Sequence, residues 1–344
     1  MVLLLRNHEM KGLMPMSAYI EAVESAYLEV GMKRGLNIPR ENHWIAGDRA
    51  DSVGGGHLRA GSKASFKYKG GFLPEIGGAG IQAYTAGLPG GLETYMFLFS
   101  TETGALIAVM EVLYYDWLKT AAVTAVATKH MAPAESRVVA LFGTGRHART
   151  QLRGLCAARP MIERVQAYSR RPEQRTEFCQ EMSAALGLEV VPAKSPQAAL
   201  DQADIITTIT NSPTPVFDAA DVPDRPIHIN GMGAHYPWVS EIDADLVLRS
   251  RIVLDDWDQG LQEQGEVLQL IEAGQMSADN IAGDLGDVVS GKIEGRRAQD
   301  RSTLFLSGGT GIEDVAVSLA LYRAAMANGV GTTFEFNQPY EFEI

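Results

Sequence analysis

Between positions 137 and 168 the chain reads Arg-Val-Val-Ala-Leu-Phe, then Gly143-Thr144-Gly145-Arg146-His147-Ala148, then a helical stretch to about Arg159, then Arg-Val-Gln-Ala-Tyr. An unbroken apolar run, a glycine turn, a helix and a second short strand describe a β–α–β unit, whose parallel strands must be covered on both faces. In such a unit Gly143 permits the tight turn, and Gly145 lets backbone N–H groups approach an anion. Ala148 keeps the helix close to the strand. The helix N-terminus then offers its N–H groups and the positive end of its dipole to a pyrophosphate. A glycine turn alone says little; a strand before it and a helix after it mark a dinucleotide-binding loop.

The strand–helix alternation continues through a helix at 172–186 and strands near 190–191, 205–209, 227–232, 252–254 and 304–306. Before it, Pro15 opens a helix with Ile20, Val23, Tyr27 and Val30 on one face. A Gly54-Gly55-Gly56 loop leads into strand-like alternation, and 93–110 reads as a hairpin around Thr101-Glu102-Thr103-Gly104. Asp116 is expected to cap an Ala-rich helix reaching Met131. A helix over 312–327 and an extended tail at 332–336 close the chain. At 344 residues two domains are expected. The fold class is α/β: a Rossmann doubly wound parallel sheet over 118–311, plus a smaller α+β domain formed by both chain ends, 1–117 with 312–344.

A net charge of −12 and a pI near 5.1 exclude the basic face that a nucleic-acid partner requires. No apolar run approaches a membrane span, and Met-Val-Leu-Leu-Leu-Arg is too short an apolar start for a signal peptide, so a cytoplasmic location is expected. Cys156 and Cys179 have no metal-like spacing, and the seven histidines form no His-x-x-x-His pair, so no metal is expected.

The residues that end the second strand select the cofactor. An acid there accepts from the ribose 2′-hydroxyl of NAD(H). Here Tyr168-Ser169-Arg170-Arg171 stands instead, with no acid until Glu173. A hydroxyl and guanidinium groups suit a 2′-phosphate, so NADP(H) is preferred over NAD(H). Thr144, Arg146 and His147 in the loop, together with Thr208, Met232 and Gly233 at later strand ends, complete the expected cofactor contacts.

Several short segments, in order, resemble the ornithine cyclodeaminase/mu-crystallin family. Pro39-Arg40 resembles its proline–arginine pair. Lys119-Thr120-Ala121-Ala122, sixteen residues after Thr103, resembles its Arg-Thr-Ala-Ala. Gly143–Ala148, Asn230-Gly231-Met232-Gly233-Ala234, Glu241-Ile242-Asp243, the Gly-Lys-Ile-Glu-Gly-Arg at 291–296 and the Gly-Ile-Glu-Asp at 311–314 are similar to further family segments. The resemblance implies that the domain built from both ends binds substrate, covers the nicotinamide and forms a homodimer. It implies a small α-imino or α-amino acid substrate, with Thr120 on the cofactor and Asp314 among the catalytic groups. Reduction of an imino acid, or the reverse amino-acid dehydrogenation, is the expected activity. A cyclodeaminase with bound NAD and a non-catalytic NADPH-binding protein are the alternatives.

The departures are as informative. In the family two arginines and a lysine clamp the substrate carboxylate. Arg40 is kept, Lys119 replaces the second arginine, and Gln82 stands where the lysine belongs. A lysine offers a point charge where an arginine offers a fork. Lys63, Lys67 and Lys69 share one strand parity, so Lys69, or else Lys67, is the candidate replacement; the alternative is an exposed, charged edge strand. His235 stands where cyclodeaminases place an aspartate. An imidazole can move a proton near neutral pH but cannot hold an ammonium as a carboxylate does. The expected catalytic set is therefore Lys69, His235 and Asp314, with Arg40, Lys69, Gln82 and Lys119 on the substrate.

Overall fold

A computed structural model describes residues 1–46, 62–88 and 91–336. The chain forms two compact units, 1–116 with 311–344, and 117–310.

The first unit begins with β1 (Val2–Leu5), α1 (Met16–Gly31) and five strands: β2 (Leu36–Ala46), β3 (Ser62–Leu73), β4 (Gly78–Leu88), β5 (Gly91–Ser100) and β6 (Leu106–Glu111). The chain leaves through α2 (Leu113–Met131) and builds the second unit. That unit holds β7 (Val138–Phe142), α3 (Arg146–Ala158), β8 (Arg164–Tyr168), α4 (Pro172–Leu186), β9 (Glu189–Pro192), α5 (Pro196–Leu200), β10 (Ile205–Thr208) and β11 (Ile227–Gly231). It continues with α6 (Ala244–Leu248), β12 (Arg251–Leu254), α7 (Trp257–Glu263), α8 (Gly265–Glu272), β13 (Ile281–Asp284), α9 (Leu285–Val289) and β14 (Ser302–Leu306). The chain then returns to the first unit as α10 (Gly311–Asn328) and β15 (Thr332–Phe334).

In the first unit the strands lie in the order β15-β1-β6-β5-β4-β3-β2. α10 packs on one face, where its first residue, Gly311, abuts the backbone of Gly70 so closely that a Cβ there would collide with it. Ile312 packs on Gly71, and Val315 and Leu319 on Gly78. Alternation along β3 turns Ser65, Lys67, Lys69 and Leu73 into this buried face and Phe66 and Phe72 outward. The outward face carries Leu36, Ile38, Phe66, Phe72, Ile81, Tyr95, Phe97 and Phe99, each 36% exposed or more.

The second unit is an eight-stranded parallel sheet in the order β13-β12-β14-β11-β10-β7-β8-β9. After β7 the chain steps outward through β8 and β9. It then crosses back to β10 and β11 on the other side of β7, which puts a topological switch point between β7 and β10. β11 is buried along its whole length yet contains His228 and Asn230. His228 bonds Thr303 and Asn230, and Asn230 donates to Thr128 and Thr207. Arg296, from the Gly-Lys-Ile-Glu-Gly-Arg segment, closes this network on Met131 O, Ile227 O and Thr303. Burial, helped by the nearby Arg296 charge, holds the His228 pKa down to about 3, so the ring is neutral and the network is scaffolding.

Two expectations change. α2 starts at Leu113, three residues before Asp116, because Val112 O already accepts from Tyr115 and Asp116 N–H groups. β3 is an inner strand between β2 and β4, so its lysines do not decorate an edge. Gly54-Gly55-Gly56 and the Lys63 side chain lie outside the described residues. Among the described residues no helix is long and apolar enough to cross a membrane, and no cluster of His, Cys, Asp and Glu could hold a metal ion. Cys156 and Cys179 lie in α3 and α4, and burial pushes both thiols up to about 11.

Candidate active site

At the end of β7, Gly143 adopts φ +109°, and its N–H donates to Tyr168 O at 2.9 Å. A side chain there would run into the Ile209 carbonyl. Gly145 is the N-cap of α3, in extended conformation and without a side-chain cap, which leaves the first N–H groups of the helix for another acceptor. No atom lies within 4 Å of where a Cβ on Gly145 would project. Open space directly over uncapped amides, reached across a glycine, fits a dinucleotide pyrophosphate.

The rest of the loop is braced from neighbouring elements. Thr144 donates through Oγ1 to Ser169 Oγ at 2.9 Å, joining the loop to the end of β8. Arg175, one turn into α4, donates to Ser169 O at 2.7 Å and lies 5.3 Å over the Tyr168 ring. Arg170 and Arg171 are exposed at this strand end, and no carboxylate occupies positions 168–171. The Arg146 guanidinium lies 5.5 Å over the Trp117 ring, and His147 meets the same indole edge-on at 6.4 Å.

Across the switch point, Thr208 ends β10, and its carbonyl accepts from Met232 N at 3.0 Å. Gly233 follows, and its carbonyl lies 3.1 Å from His235 Nδ1. The His235 ring packs at 4.2 Å on Tyr236, which in turn stacks on Trp238. Lys119 is only 2% exposed, which excludes a side chain pointing at bulk water. It sits in the second turn of α2. Thr120, beside it, accepts through its carbonyl from Gln151 at 3.2 Å.

The first unit assembles a second cluster. Between Ile38 and Glu41 the β2–β3 register shifts, so Pro39 and Arg40 form a bulge opposite Lys69, flanked by Ile38↔Gly70 and Glu41↔Tyr68. Lys69 pairs with Gln82 on β4. Arg40, Lys69 and Gln82, distant in sequence, therefore share one rung. Lys69 Nζ lies 2.9 Å from Asp314 Oδ2, with both side chains 3% exposed or less. The Gly70–Gly311 approach brings Asp314, in the first turn of α10, down onto Lys69. Gln82 donates to Thr94 Oγ1 at 3.0 Å, while its buried Oε1 has no partner among the described residues. Lys67, two residues away on the same face of β3, is 5% exposed with its Nζ 4.5 Å from the Trp44 ring centroid.

The model of the ornithine cyclodeaminase/mu-crystallin family matches residues 64–329. The chain belongs to that family. It is similar to the Delta(1)-pyrroline-2-carboxylate reductase of Bacillus cereus, 31% identical over 242 residues that cover 70% of this chain and 74% of the relative. Among solved structures it resembles the Delta(1)-pyrroline-2-carboxylate reductase of Thermococcus litoralis in complex with NADH and L-proline. The TM-score is 0.85 and the identity 28%, covering 97% of this chain and 100% of the other. It also resembles the iminosuccinate reductase of Paracoccus denitrificans in complex with NAD+, with TM-score 0.86 and 28% identity over 97% and 99% of the two chains.

Several contributors had no signal in the sequence. Trp117 under Arg146, Arg175 behind Ser169 and Trp44 beside Lys67 are defined only by packing. The Pro39-Arg40 bulge is visible only as a register shift.

Proposed function

We propose that the protein is a nicotinamide-dependent oxidoreductase that reduces a small α-imino acid to the amino acid, or runs the reverse dehydrogenation. The observation that carries this reading is the buried Lys69–Asp314 pair on the rung shared with Arg40 and Gln82. Desolvating two charges in a helix–sheet interface costs several kcal/mol, and buried ion pairs are often no more stabilising than apolar pairs of similar volume, so stability alone is a weak reason to keep this one. A cationic rung beside a carboxylate suits an anionic substrate that must also exchange a proton.

In this reading Arg40 and Lys69 hold the substrate carboxylate, with the open Gln82 Oε1 as a further acceptor, and the buried Lys119 is a further candidate for the same anion. Orientation by fixed charges is what these side chains contribute. Asp314 and His235 are the candidate groups for the proton at nitrogen, since a protonated imine is the better electrophile. A bound nicotinamide supplies or accepts the hydride at the substrate α-carbon. Ser169, Arg170 and Arg171 favour the 2′-phosphate of NADP(H) over NAD(H), because they offer donors and positive charge where an acid would accept from a hydroxyl. The outward apolar face of the first unit's sheet supports a homodimer, since water-exposed phenylalanines on several adjacent strands call for cover.

The test is direct. Purified protein receives NADPH or NADH with cyclic imino acids, or with 2-oxo acids plus ammonia or methylamine. Oxidation of the reduced nicotinamide with a subset of these acids is expected. Ammonia release from ornithine with no net change in nicotinamide would assign a cyclodeaminase instead. Tight NADPH binding without any turnover would assign a binding protein.

A further inference from the structure

The loops that follow β10 and β11 are joined by one buried side chain. Glu241, fully buried, accepts from Thr210 N through Oε1 at 2.7 Å and from Gly233 N through Oε2 at 2.8 Å. A Cβ on Gly233 would overlap this carboxylate, so glycine is the residue that lets the loop close on it. The Glu241 backbone is fixed as well: its N–H donates to Glu266 Oε1 at 3.0 Å, and its carbonyl accepts from Val216 N at 3.0 Å. The residue before Thr210, Ile209, is the one whose carbonyl blocks any side chain at Gly143. One carboxylate thus ties together the strand ends on the far side of the phosphate turn.

Topology says which part of a dinucleotide those ends meet. The pyrophosphate belongs over β7 and the N-terminus of α3, and the ribose–adenine end belongs beside Ser169 at the end of β8. β10 and β11 lie on the opposite side of β7 from β8. A dinucleotide laid across the switch point therefore puts its nicotinamide half over the β10 and β11 ends. We infer that Glu241 is a positioning residue for the nicotinamide half: it holds the Thr210 and Gly233 backbones in the arrangement that receives that half, without touching the reacting atoms. Both its oxygens accept from backbone N–H groups. Burial raises its pKa, and the hydrogen bonds from Thr210 and Gly233 offset only part of that rise. Burial also pushes the neighbouring Glu266 up, to about 7.

This inference rests on the proposed nicotinamide dependence, and its test separates the two. Glu241→Gln replaces one acceptor by a donor and breaks one of the two loop bonds; Glu241→Asp keeps the charge on a shorter stem and serves if the glutamine variant does not fold. Each is titrated calorimetrically with NADH and NADPH, and with ADP-ribose or its 2′-phosphate, which lack the nicotinamide ring. The expected result is at least tenfold weaker binding of the complete cofactor, with ADP-ribose affinity within twofold of the parent. Equal weakening of both ligands, or of neither, overturns the positioning role while leaving nicotinamide dependence intact. A parent protein that binds neither NADH nor NADPH overturns the functional reading and this inference with it.

Discussion

Gly145→Ala is expected to separate folding from cofactor binding. The backbone at Gly145 has φ −83° and ψ −167°, a conformation open to any L-residue, and an added Cβ meets nothing within 4 Å. Alanine is a poorer N-cap than glycine, so a stability loss of up to about 1 kcal/mol is expected, with no collision in the empty protein. The methyl group nevertheless projects into the space over the uncapped N–H groups of α3. A pyrophosphate pushed back by that group loses at least one charge-assisted hydrogen bond, worth about 1.5–3 kcal/mol, which corresponds to about 10- to 150-fold in Kd. Fluorescence titration with NADPH and NADH, paired with calorimetric melting, provides the assay. Gly187→Ala is the matched control: its Cβ also meets no atom, but φ is +66°, so it should lower Tm and leave cofactor affinity unchanged. An unchanged Kd in Gly145→Ala, with the protein folded, would show that the cofactor phosphates do not lie over this loop.

Arg170→Ala should weaken NADPH by about tenfold or more, from loss of one phosphate contact, while sparing NADH; equal loss for both cofactors would remove the 2′-phosphate from this strand end. Lys119→Met keeps most of the packing volume and should lower kcat/KM by about tenfold or more, roughly 1.4 kcal/mol, with cofactor Kd unchanged. A variant with full kcat/KM would leave Arg40 and Lys69 to hold the carboxylate. Phe97→Asp puts a charge on a side chain 38% exposed in the middle of the outward apolar sheet face; sedimentation velocity is expected to show a dimer for the parent and a monomer for the variant, and a monomeric parent would refute the proposed homodimer. Glu266, raised to about 7 by burial, binds more protons folded than unfolded between its ordinary 4.5 and that value. Its stabilising contribution is therefore full below pH 4.5 and lost as pH rises through 7. Glu266→Gln, which cannot ionise, should gain on the parent by about 3 kcal/mol across that window, at about 1.4 kcal/mol per unit. Thermal melts from pH 4.5 to 8 check the trend, and a constant difference would refute it.

What could be read directly from the chain was local. The apolar run 138–142, the glycine turn and the helix after it follow from hydrophobic period and glycine's access to positive φ. Successive β–α units and the parallel sheet follow from the same pattern, whereas the family was legible in short segments that resemble its motifs, such as Lys119–Ala122 and Asn230–Ala234. Pro172 and Gly187 mark the ends of α4 because N1 proline and a left-handed C-cap act within a few residues. Less was legible where side chains beyond the window decide. The start of α2 was placed at Asp116, a good capping residue, whereas the Val112 carbonyl begins the helix three residues earlier. Short elements such as α5, α9 and β13 have too few residues to show a period.

The two lysines of β3 mark the limit. Parity along the chain put Lys67 and Lys69 on one face, but parity does not say whether that face meets water or protein. The answer came from α10, more than two hundred residues later in sequence, whose Gly311 fits against Gly70 and lowers Asp314 onto Lys69. The Arg40–Lys69–Gln82 rung likewise depends on a bulge and on two strand registers, and the Glu241 clasp depends on two loops closing on one carboxylate. The longer elements and the dinucleotide loop are legible residue by residue, because they follow from interactions within a turn or two of chain. Burial, charge pairing and the placement of functional groups were decided only by tertiary structure, because a side chain's dielectric surroundings and partners are set by whatever packs against it.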